Sequence, residues 1–111
     1  MKRDWRAARG KVEREARCRV CGVGSGLEAA HTIGRTHDDK SGVVNPLDIV
    51  PLCREHHQRY DARSLSILEY LTHEEQARAV SHVGLVSAYQ RLTGERLSRV
   101  KAYKGLYGER P

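Results

Sequence analysis

The chain has no phenylalanine, a single tryptophan, and aromatic residues make up only 5% of its 111 positions. Hydrophobic residues reach 39%, so a large apolar core is excluded as the sole source of stability and a staple such as a metal or a disulfide is expected. Three cysteines cannot all pair within one chain. Two of them stand as Cys18-Arg19-Val20-Cys21, a spacing that suits a metal better than a structural disulfide in a reducing compartment. No run approaches the roughly 18 consecutive apolar residues of a membrane span, and the basic start lacks the apolar stretch of a secretory signal. The expectation is one soluble, cytoplasmic domain with no membrane partner.

What is present is positive charge. The formal net charge is +6 and the pI about 9.5. Lys2, Arg3, Arg6, Arg9, Lys11, Arg14, Arg17 and Arg19 crowd the start, and Arg91, Arg96, Arg99, Lys101 and Lys104 the end. Neither flank carries a long apolar stripe that could sink into lipid, so the anionic partner is expected to be nucleic acid. Arg6 and Arg9 on the first helix would then contact phosphates without choosing a sequence.

Periodicity divides the chain into a basic N-terminal helix (1–17), a core (18–63), C-terminal helices packed on it (64–95) and a basic tail (96–111) whose last residues are expected to be mobile. Trp5, Ala8, Val12 and Ala16 recur along one stripe of the first helix, with Gly10 as its weak point. Glycine and serine after Cys21 supply tight turns. Leu27 to Ile33 and Asp48 to Leu52 are predicted strands joined by a polar loop, and Cys53 to Asp61 a short helix. Thr72-His73-Glu74-Glu75 opens a further helix with a capping box, Gly84 divides it and Gly94 closes it; Ala77, Val80, Val83, Ala88 and Leu92 are its expected core face.

Zinc prefers four soft or borderline ligands, supplied by two short pairs on turns. Cys18 and Cys21 form one pair, and Cys53-Arg54-Glu55-His56 repeats the same gap. His57 is a possible substitute, but His56 is preferred because it leaves His57 free. A redox role for the cysteines lacks the βαβ context it needs.

Hydrolysis of a phosphodiester needs a base for water, a cation for the phosphoryl charge and a group that holds the base. His31 at the end of the first strand can take a proton near neutral pH. His57 and Asp61, four apart on the predicted helix, could grip one divalent ion such as Mg²⁺ or Mn²⁺.

Cys-Arg-Val-Cys-Gly, Ala-Ala-His-Thr-Ile-Gly-Arg and Asp-Ile-Val-Pro-Leu-Cys-Arg-Glu-His-His-Gln-Arg-Tyr-Asp together resemble the HNH endonuclease family over roughly residues 18 to 61. The stretch from Leu65 and the Val83-Gly-Leu-Val segment resemble small stand-alone HNH proteins of bacteriophages and their bacterial hosts. The resemblance implies an α+β fold, a ββα-metal core with structural zinc knuckles flanked by helices. It also implies His31 as general base, Asp48 as the polar residue that orients it and His57 as ligand of the catalytic cation. DNA is the implied partner, and phage terminase or packaging proteins are further candidates.

Two departures stand out. The family's usual asparagine is Asp48 here, while Asn45 lies three positions earlier; an ionised Asp48 accepts hydrogen bonds but cannot donate them. The residue before the base, commonly a metal ligand, is Ala30. Asp61 is the first replacement by helical spacing, with Asp38 and His37 weaker ones in the loop. Arg35 is a candidate phosphate clamp through its planar fork. Two further readings stand beside the nuclease: a zinc-stabilised DNA-binding module, catalytically weak or inactive, that assists a larger DNA-processing machine, and a structural zinc domain for protein contacts.

Overall fold

Leu27-Glu-Ala-Ala-His31 carries small residues where helices must approach from two sides, and it forms β1 (Leu27–His31), paired antiparallel with β2 (Ile49–Cys53). The computed structural model describes residues 3–34 and 42–95. Arg35, His37, Asp38 and the expected tail at 96–111 lie outside them. The register sets Leu27 opposite Cys53, Ala29 opposite Pro51 and His31 opposite Ile49. Pro51 is tolerated in mid-strand because its carbonyl accepts from the Arg19 N–H at 3.0 Å on the side away from β1, where its own missing N–H would have pointed. β1 stops two residues short of the sequence expectation. β2 begins one residue late, because Asp48 ends a 3-10 turn, Pro46–Asp48, whose N-cap Asn45 accepts from the Leu47 N–H at 2.9 Å.

Alternate residues of a strand face opposite ways, and different helices cover the two faces. α1 (Arg6–Glu15) covers the Ala29 side, where Trp5, Ala8 and Val12 pack with Val44 and Ile49. α2 (Arg54–Asp61) covers the Ala30 side, where Val50, Leu52 and Tyr60 belong to the main core. α3 (His73–Val83) and α4 (Leu85–Thr93) add Ala79, Ala88 and Leu92 to that core. The arm before α1 is sewn to the chain ahead of β2, since the Asp4 N–H donates to Gly42 O at 2.7 Å and the Val44 N–H to Asp4 O at 2.9 Å. Asp4 also accepts from the Arg6 N–H at 3.0 Å, satisfying an otherwise open donor of the first turn. α1 passes through Gly10 without a break and ends at Ala16, which takes a left-handed φ of 56° and is exposed.

The capping box at Thr72 is formed: the Glu75 N–H donates to Thr72 Oγ1 at 3.1 Å and the Thr72 N–H to Glu75 Oε1 at 2.8 Å. Gly84 divides α3 from α4 and Gly94 closes α4. One expectation fails. Ala77 is exposed, and the buried stripe of α3 runs through Glu75 and Ala79 instead. Glu75 therefore both caps the helix and faces inward. It accepts from Lys11 Nζ at 2.5 Å and from the Arg19 guanidinium at 2.8 and 2.9 Å, while Lys11 Nζ also donates to the carbonyls of Pro46 and Ile49, each at 2.7 Å. Lys11 and Arg19, counted by sequence in the basic stretch that favours an anionic partner, are thus internal ties between α1, the first cysteine pair, β2 and α3. Among the described residues no helix is long and apolar enough to cross a membrane.

Candidate metal centre and active face

The first cysteine pair sits on a turn closed by two hydrogen bonds, Cys18 N–H to Val23 O and Gly22 N–H to Cys18 O, each 2.9 Å, with Gly22 at a left-handed φ of 77°. The second pair straddles a strand–helix junction: Cys53 ends β2 and is the N-cap of α2, and His56 lies in the first turn. His56 Nδ1 is 3.1 Å from Cys53 Sγ and 3.9 Å from Cys18 Sγ, and the sulfurs of Cys21 and Cys53 are 3.9 Å apart. All four donor atoms lie within 4.8 Å of one another. Sulfurs on a tetrahedral zinc shell of radius about 2.3 Å are separated by about 3.8 Å, so three thiols and one imidazole here fit a zinc ion. Burial pushes the Cys18 thiol up, but the backbone N–H groups of Cys21, Cys53 and Val20 turned toward it bring it down to about 6, which favours the thiolate that binds metal. His56, not His57, joins the cluster.

One position along α2 the next imidazole points elsewhere. His57 Nδ1 is 2.8 Å from Glu28 Oε1 and its Nε2 is 3.3 Å from Asp61 Oδ2. Two donors on an octahedral Mg²⁺ shell of radius about 2.1 Å stand about 3 Å apart, so Nε2 and the Asp61 carboxylate fit one divalent cation. Glu28 fixes the ring and its tautomer in the manner of an outer-shell partner. Asp61 is exposed and further steered by Arg91 Nη2 at 3.4 Å, a guanidinium stacked 4.2 Å from the centre of the Tyr60 ring. Burial pushes the Tyr60 hydroxyl up to about 12, so it stays protonated and donates to Thr32 O. Glu28 was not found from sequence, yet it left a signal as the one carboxylate in a short strand of Leu, Ala and His. Ala30, on the same face, is fully buried in the core and offers no donor.

His31 ends β1 on the opposite face. Its ring meets Trp5 with centroids 5.3 Å apart and planes at 87°. The sequence-predicted base and the Glu28 that holds His57 therefore lie on opposite faces of the two-stranded sheet. The Asp48 carboxylate, expected to orient His31, accepts from Arg78 Nε at 3.1 Å and lies 2.9 Å from His82 Nε2, both on α3. Its backbone serves the hairpin end instead, accepting from the Thr32 N–H at 2.9 Å. Asn45 caps the turn before it. Arg6 and Arg9 are exposed on α1, and Arg6 is paired with Asp4 at 2.8 Å.

A helix that gives its first turn to a sulfur-rich cluster and its next residues to a histidine–carboxylate pair, laid on a two-stranded hairpin, has the architecture of the ββα-metal class. Residues 18–68 match the model of the HNH endonuclease family, and that segment is similar to it. The match spans both cysteine pairs, the hairpin and α2, and leaves α1, α3 and α4 outside. No curated protein and no solved structure matches the chain.

Proposed function

We propose that this protein is a metal-dependent endonuclease that hydrolyses DNA phosphodiester bonds. The observation that carries the reading is the pairing of His57 Nε2 with Asp61 at 3.3 Å, the imidazole held from behind by Glu28. A divalent cation such as Mg²⁺ or Mn²⁺ held there would neutralise charge on the phosphoryl and leaving oxygens. His31 takes a proton from water as its oxygen attacks phosphorus; the bond to the 3′ oxygen breaks and that oxygen gains a proton, leaving 5′-phosphate and 3′-hydroxyl ends. Glu28 holds His57 in one tautomer. Cys18, Cys21, Cys53 and His56 carry a structural zinc, and Arg6 and Arg9, with Arg35, hold the backbone of the DNA.

Plasmid incubated with the zinc-loaded protein and Mg²⁺ or Mn²⁺ tests this. Nicking that needs the cation and disappears in His31→Ala is the expected result; cutting at the same rate by His31→Ala overturns the assignment of the base. Ala30 favours a second reading, a zinc-stabilised DNA-binding module within a larger DNA-processing machine, because the position before His31 offers a cation no donor. That module binds DNA with strong salt dependence and cuts nothing.

A further inference from the structure

We propose that Arg91 of α4 is a DNA-phosphate ligand of the active face, holding the backbone beside the His57–Asp61 pair. The proposal rests on the nuclease reading and adds to it a cation that belongs to the protein itself. Arg6 and Arg9 lie on α1, which covers the Ala29 side of the sheet, whereas Glu28, which holds His57, is on the other side. A phosphate brought to His57 and Asp61 therefore needs a positive partner from another element. Arg91 supplies it. Its Nη2 is 3.4 Å from Asp61 Oδ1, on the carboxylate whose other oxygen is 3.3 Å from His57 Nε2.

A strut for Asp61 does not account for this placement. The Asp61 side chain is 57% exposed, and an ion pair so open to water contributes little to stability. Arg91 Nη1 also donates to Tyr60 O at 3.3 Å, at the end of α2. The two contacts are long and use two of the five N–H donors of a guanidinium, whose planar fork matches pairs of phosphate oxygens. The plane of that fork is set in advance, because the guanidinium carbon lies 4.2 Å from the centre of the Tyr60 ring, and Tyr60 is fully buried with its hydroxyl donating to Thr32 O. The Arg91 side chain stays 20% exposed, so an edge of the fork meets solvent. A second guanidinium stands nearby. Arg63, exposed, follows α2 at a left-handed φ of 62°; burial pushes the Tyr60 hydroxyl up, and the charges of Arg91 and Arg63 both pull against it. Positive charge thus gathers at the end of α2 that carries Asp61, where it would offset charge building on a phosphoryl group.

The zinc-loaded full chain is titrated, without Mg²⁺ or Mn²⁺, with a labelled DNA duplex over a series of salt concentrations. Each phosphate contact contributes about 0.9 to the fall of log affinity with log salt. Arg91→Gln, which keeps a donor for Tyr60 O, should make the slope shallower by about one contact, and Arg91→Lys, which keeps the charge, should hold the wild-type slope. A wild-type slope in Arg91→Gln overturns the proposal. With Mg²⁺ and saturating DNA, plasmid nicking should slow about tenfold or more in Arg91→Gln and recover only in part in Arg91→Lys, since an ammonium cannot fork; nicking by Arg91→Gln at the wild-type rate overturns it as well. If Arg91→Gln unfolds, Arg91→Lys decides alone, and nicking at the wild-type rate then refutes the fork. A protein that nicks plasmid while Arg91→Gln keeps the full slope loses Arg91 and keeps the nuclease reading. One whose slope depends on Arg91 but which cuts nothing keeps the phosphate contact and loses the nuclease.

Discussion

Replacing Glu75 by Gln removes one negative charge from a position that is 1% exposed and ties cations from two distant stretches of the chain. Burial alone would raise the Glu75 carboxyl; the hydrogen bonds from Arg19 and Lys11 outweigh it and hold the group at about 2, against an ordinary 4.5. That difference corresponds to about 3 kcal/mol of native-state stabilisation. A second route agrees, since breaking a buried ion pair while its partner stays costs ~3–5 kcal/mol. Gln keeps an oxygen for the Thr72 N–H, so the cap survives and the loss falls on the ion pairs. Urea unfolding of the zinc-loaded protein should show ~3 kcal/mol less stability at pH 7, with Glu74→Gln, its exposed neighbour, within ~0.5 kcal/mol of wild type.

The sign of the pH dependence follows from a depressed carboxyl. Its contribution is whole above about pH 5 and is lost as the pH falls from there toward 2. The gap between wild type and Glu75→Gln should therefore narrow by about 1 kcal/mol between pH 7 and pH 4. The thiol and imidazole donors of the cluster also take up protons in acid, so the gap between the two proteins is the quantity to follow. A gap under ~1 kcal/mol at pH 7, or one that widens in acid, would refute the reasoning.

Asp48→Asn, which restores the family's usual residue type, should destabilise the fold by ~2–3 kcal/mol because Arg78 loses a buried counter-charge; an unfolding midpoint equal to wild type would show that the pair contributes nothing. Chelation of the metal, or Cys53→Ser, should abolish cooperative thermal unfolding and, through α2, DNA cutting; a chelated protein with unchanged melting would remove the case for a structural ion. Gly94→Ala should cost well over ~1 kcal/mol, because a Cβ there would sit 2.6 Å from Arg63 O at a φ of +76°. Gly22→Ala, at a φ of +77° with nothing within 4 Å, should cost only ~1 kcal/mol, and calorimetry on both separates contact from backbone strain.

Local chemistry made much of the molecule legible. The two C-x2-C/H pairs, the capping box at Thr72 and the breaks at Gly84 and Gly94 each depend on neighbours in sequence, and each is found in the fold. What escaped depends on contacts across long separations. Glu28 reaches His57 over 29 positions and Lys11 reaches Glu75 over 64, and no periodicity encodes either. Lys11 and Glu75 even break the apolar pattern, which is why Ala77 was assigned the core position that Ala79 holds. Asp48 was legible as a polar residue near the hairpin end, but its partners Arg78 and His82 lie on a helix outside the family segment.

The geometry of the active face follows from how β2 is held at its two ends. Cys53 closes the strand inside the sulfur cluster, and because successive helical residues turn by about 100°, directing His56 into that cluster sets where His57 aims. At the other end Asp48 is clamped by α3. β1 takes its register from β2, so Glu28, opposite Leu52, sits toward the cluster end and His31, opposite Ile49, toward the Asp48 end. A metal in the cluster and α3 would act on different halves of the candidate site: loss of the cluster ion should misplace the Glu28–His57–Asp61 side first, and loss of the Asp48 clamp the His31–Trp5 side.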